Sequence, residues 1–148
     1  MKLPVLFIII CIGLTSCRPN FGLPVDDQVA VSDMLCECVE SMVPHESPYV
    51  LDVFQFAVEH PNEDVDEFIE EKRAELDGEA LETFNKELSF FYENDIDEIF
   101  AVCGEPILNQ YPVIDEMDDE VLVKMFLYNL DEGCELTHLL IEVYQAQN

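Results

Sequence analysis

Between positions 26 and 148 the apolar residues recur at steps of three and four, and this spacing limits the fold more than any other feature of the chain. A 3.6-residue period gathers such residues on one stripe of a helix. A strand needs alternation with period two, and no segment alternates for long enough. Asp26 or Asp27 can cap a first helix that runs to about Val43, with Ala30 or Val31, Met34, Leu35, Cys38, Val39 and Met42 on one face, and Pro44 stops it. Ser47-Pro48 pairs a cap with a first-turn proline and opens a second helix. That helix carries Val50 or Leu51, Phe54, Ala57 and Val58 and ends before Pro61. Asn62 opens a third, with Glu63 and Asp64 where the helix dipole favours acids, Val65, Phe68, Ile69 and Leu76 inward, and Asp77-Gly78 as its close.

From Glu79 the positions Leu81, Phe84, Leu88, Phe91 or Tyr92, Ile96, Ile99, Phe100 and Cys103 predict one long helix. It can bend near Asn94-Asp95 and stops at Gly104, with Pro106 beyond. Tyr111 to Glu116 reads as a loop. Two helices follow, from about Asp118 to Leu130 (Val121, Leu122, Met125, Phe126, Leu130) and from about Glu135 to Gln145 (Leu136, Leu139, Leu140, Val143, Tyr144), split at Gly133. The expectation is an all-α protein, an orthogonal or irregular bundle of five or six helices, forming one acidic domain over residues 26–148.

The first residues have a different character. Met1-Lys2 gives a short positive start, and Leu3 to Leu14 is almost wholly apolar, broken only by Pro4 and Gly13. This is the core of a signal peptide, residues 1–16. It falls short of the roughly 20 apolar residues that cross a bilayer. The junction Leu14-Thr15-Ser16-Cys17 resembles the lipobox of bacterial lipoproteins, a Leu, two small residues and an obligatory Cys. The resemblance implies cleavage before Cys17 and attachment of diacylglycerol to its sulfur, usually with a further acyl group on the new amine. The thiolate is the nucleophile such an alkylation needs. Several acyl chains, at about 0.8 kcal/mol per buried CH₂, hold far longer than one.

Arg18 follows the lipidated position, so the Asp that keeps such proteins at the inner membrane is absent, and the resemblance implies the outer membrane, facing the periplasm. Cleavage by an ordinary signal peptidase near Ser16 or Cys17 is the alternative, giving a secreted protein. Residues 17–25, with Pro, Asn and Gly in Arg18 to Val25, read as a tether. Those eight residues reach at most about 28 Å, beyond the Debye length of about 8 Å, so an acidic domain can stand clear of bilayer charge.

Of six cysteines, Cys11 leaves with the signal and Cys17 carries lipid, which leaves Cys36, Cys38, Cys103 and Cys134. Cys36 and Cys38 lie about 200° apart around a helix and cannot bond each other without unwinding it. Each should therefore bond one of Cys103 and Cys134, in an order the spacing leaves open. Metal ligation by Cys36-x-Cys38 with a His is the rival, disfavoured where thiols oxidise. The arrangement is similar to that of a loose group of uncharacterised small helical lipoproteins of Gram-negative bacteria, a likeness that carries no known activity.

Charge narrows the partners. Against 33 acidic residues stand 6 basic ones, for a net charge of −27. Such a field repels nucleic acids and anionic lipids, so no nucleic-acid binding is expected; it suits solubility or a basic protein partner. His45, His60 and His138 form no motif, and there is no Gly-x-Ser-x-Gly, His-Glu-x-x-His or phosphate-binding glycine loop. Neither catalytic residues, a metal site nor a cofactor is implied. The runs Asp95-Ile96-Asp97-Glu98 and Asp115 to Glu120 could attract Ca²⁺ weakly, though without the spacing of an EF-hand loop. The leading expectation is a noncatalytic, membrane-tethered interaction or envelope module. A low-affinity divalent-cation binder is the alternative, and an enzyme built on buried carboxylates the third reading.

Overall fold

A computed structural model describes residues 19–45 and 47–147. Residues 1–18, with the signal segment and Cys17, lie outside the described part. Among the described residues seven α-helices follow one another: α1 (Val25–Met42), α2 (Pro48–Glu59), α3 (Val65–Glu75), α4 (Gly78–Glu93), α5 (Ile96–Gln110), α6 (Asp119–Asn129) and α7 (Glu135–Gln147). A 3-10 turn, Pro112–Glu116, joins α5 to α6 where a loop was expected. Among the described residues there is no strand, so the chain is an all-helical, disulfide-stapled bundle.

The count of five or six helices needs correction. The segment from Glu79 is two helices, because Asn94 and Asp95 turn extended. Asn94 closes α4, its backbone N–H donating to Phe90 O at 2.9 Å and its side chain to the same carbonyl at 2.7 Å. Asp95 then opens α5 by accepting from Asp97 N at 3.3 Å. A short polar residue that bonds nearby backbone competes with the helix ladder, and two in succession end one helix and start the next.

The second correction runs the other way, since α5 passes through Gly104 and Pro106 and ends only at Gln110. Ile99, Cys103 and Ile107 are all buried, so the inward stripe continues across both breakers. Elsewhere the boundaries shift by a residue or two. Pro24 precedes α1, leaving Asp26 and Asp27 in its first turn, and Asp64 rather than Asn62 caps α3 through Asp66 N at 2.9 Å. Ser47 caps α2 as expected, accepting from Tyr49 N at 3.2 Å.

Helix α1 is the central rod. Val31, Leu35 and Val39 are buried along it, and it packs on α5, α6 and α7. Helix α2 lies against α7 on one side and carries α3 and α4 on the other. The core joins Val31, Val39, Val50, Phe84, Met125, Leu136 and Leu140, all fully buried. Within the stretch read as a tether, Leu23 is buried and Phe21 packs on Tyr128 of α6 with ring centres 5.9 Å apart. Among the described residues no helix is long and apolar enough to cross a membrane.

Candidate functional site

The four domain cysteines form two disulfides, Cys36–Cys134 and Cys38–Cys103, with Cα–Cα distances of 5.5 and 5.6 Å. Because the Cys-x-Cys pair projects from opposite sides of α1, one bond fastens α7 and the other α5, and α1 is clamped between them. All four sulfurs are thereby engaged, so the metal reading of Cys36-x-Cys38 loses its ligands. Among the described residues no group of three or more His, Cys, Asp or Glu is placed to hold a metal ion.

One turn beyond Cys36, Glu40 uses the proximity that the disulfide creates. Its Oε1 accepts from the Thr137 backbone N–H at 3.0 Å and from the Thr137 hydroxyl at 2.9 Å, in the first turn of α7. The carboxylate therefore satisfies an orphan amide and sits at the positive end of the helix dipole. Glu40 Oε2 meets His45 Nε2 at 3.0 Å, and His45 Nδ1 lies 2.8 Å from Val43 O. Both ring nitrogens thus face acceptors. The other histidines make local pairs, His60 with Glu63 at 3.0 Å and His138 with Glu142 at 3.4 Å.

Glu87 of α4 plays a similar part. It is buried, and its Oε1 accepts from Ser47 N at 2.8 Å, the N-cap residue of α2. A carboxylate on the N-cap amide is half of a capping box, supplied here by another helix. Sequence reading missed both caps, since Glu40 acts across 97 residues and Glu87 across 40. Nothing local to either glutamate marks its partner. The acidic runs have the same explanation nearer home. Asp95 and Asp118 cap α5 and α6, and Asp97, Glu98, Asp119 and Glu120 fill the first turns.

An apolar cleft of about 220 Å³ lies between α5, the 3-10 turn, α6 and α7, reaching Leu35 of α1. Phe100, Leu108, Leu122, Phe126 and Tyr144 line it, and Asp119 supplies its one ionisable carboxylate. Gly104 faces it in mid-helix, and a methyl group built on Gly104 would meet no atom within 4 Å. The cleft owes part of its space to a side chain that is not there. The buried Glu87 is not among the residues that line it. Comparisons with protein families, curated proteins and solved structures gave no match.

Proposed function

We propose that this chain is a membrane-tethered, extracytoplasmic lipoprotein whose helical domain works by binding rather than by catalysis. The observation that carries the reading is the junction Leu14-Thr15-Ser16-Cys17 directly after an apolar signal core. Two disulfides support it, because such bonds persist where the surroundings are oxidising. A clamped bundle with an apolar cleft and carboxylates engaged as helix caps supports a binding role. Cys17 is the lipid attachment residue, and the outer membrane, facing the periplasm, is the proposed address.

Intact mass of the protein isolated from membranes tests the anchoring directly. The expected species begins at Cys17, carries diacylglycerol and an acyl chain, and lacks the hydrogens of two disulfides. The Cys17→Ser variant should leave the membrane fraction. A native product with another N-terminus and no lipid would sink the proposal.

A further inference from the structure

We infer that the apolar cleft between α5 and α6 is a docking groove for a basic, amphipathic segment of a partner protein, which inserts an apolar side chain beside Gly104. This rests on the binding role proposed above and names its site and the chemistry of its partner. Size comes first. At about 220 Å³ the cleft is smaller than the roughly 300–1,000 Å³ of pockets that enclose whole small-molecule ligands, but it suits one or two anchoring side chains.

Charge then selects the occupant. Asp119 is the carboxylate that lines the cleft, and it belongs to a chain with 33 acidic residues against 6 basic ones, in which Lys124 of α6 is paired with Glu120. A second copy of this chain brings the same field, with a net −27 of its own, and is repelled. Fatty-acid carboxylates and anionic head groups are repelled for the same reason. Lys or Arg flanking an apolar anchor is attracted, while the anchor supplies the burial that free cations cannot.

Gly104 keeps the cleft open. Glycine in a helix interior is unfavourable relative to alanine, yet here it stands where its missing side chain leaves the cleft open. Leu108, an exposed leucine, lies one turn further along α5 as an apolar rim. The arrangement matches helix-in-groove recognition, in which apolar anchors one turn apart enter a groove and flanking charges set orientation.

The test uses the whole chain as isolated from cells, in phosphatidylcholine nanodiscs if it carries lipid. The probe is a fluorescent helical peptide of about 18 residues, five turns, with leucines along one face and lysines on the other. A matched peptide with serine in place of leucine carries charge alone. The expected result is saturable binding of the leucine peptide, at least about tenfold tighter than the serine peptide, which is what burial of one leucine supplies. Gly104→Leu, which fills the cleft from within a helix, should erase that difference while thermal stability holds. Should that variant fold poorly, Leu108→Ser at the rim should reduce it about threefold or more. Equal binding of the two peptides, or undiminished preference in Gly104→Leu or in Leu108→Ser, overturns the inference. A chain that lacks lipid but prefers the leucine peptide refutes the anchor alone, and a lipidated chain without the preference refutes the groove alone.

Discussion

The two sides of this bundle are held by different means. On one side α1, α5 and α7 are drawn together by two disulfides, each closing a long loop of 98 or 65 residues, and by the Glu40 cap, and α6 packs against α1 and α7. On the other, α2, α3 and α4 carry no disulfide among the described residues. They rest on aromatic contacts, with Phe54–Phe91 ring centres 4.6 Å apart, Phe56 stacked on Phe68 at 4.1 Å and Tyr49 edge-on to Phe84. Helix α3 buries only Ile69 and adds a Lys72–Asp52 ion pair at 3.4 Å, which at a partly exposed site contributes about 0–1 kcal/mol. The contrast teaches that the clamp is concentrated where the cleft lies: Gly104, beside the Cys38–Cys103 bond, belongs to a helix that cannot drift from α1. Rigidity around a groove spares a docking partner the entropy of ordering it.

Loss of the disulfides should separate the two sides most severely. In the chain-entropy description, loops of these lengths stabilise by about 4–5 kcal/mol each. Replacing all four cysteines by alanine should therefore remove most of the 5–15 kcal/mol typical of a domain. Urea melts should show a chain unfolded, or close to it, in dilute buffer. Next in size is Phe84→Ala in α4, where a fully buried ring is lost at a cost of about 3–5 kcal/mol. Hydrogen exchange should then quicken in α2 to α4 before it quickens in α5 to α7, and uniform acceleration would show that the two sides open as one.

Smaller effects are expected within the clamp. Glu40→Ala should destabilise by about 1–2 kcal/mol, with faster exchange in the first turn of α7. Glu40→Gln keeps an acceptor oxygen and should lose less. Gly104→Ala should raise stability by about 0.5–1 kcal/mol, read as a higher urea midpoint, because alanine fits the helix and meets no neighbour.

Much of the fold was legible in the residues. Helical spacing predicted the all-α class, Ser47-Pro48 marked the start of α2, and the opposed placement of Cys36 and Cys38 required two separate partners. Where the reading failed, local and tertiary signals disagreed. At Gly104 and Pro106 local propensity argues for a helix end, but the disulfide at Cys103 and the burial of Ile107 outweigh it and α5 continues. The stripe Ile99, Cys103, Ile107 carried that signal at four-residue steps. At Asn94-Asp95 the stripe suggested continuity, and side-chain bonds to the backbone broke it.

The helical class, the inward faces and the need for two disulfides can be read from the residues alone, because each follows from backbone bonds and side-chain directions within a few residues. Only the tertiary structure decided that Cys36 meets Cys134, that Glu40 and Glu87 cap distant helices, and that a cleft opens at Gly104. Those outcomes join positions 40 to 98 residues apart or enclose a space between four elements. They are set by the summed packing of the whole chain, which no local pattern encodes.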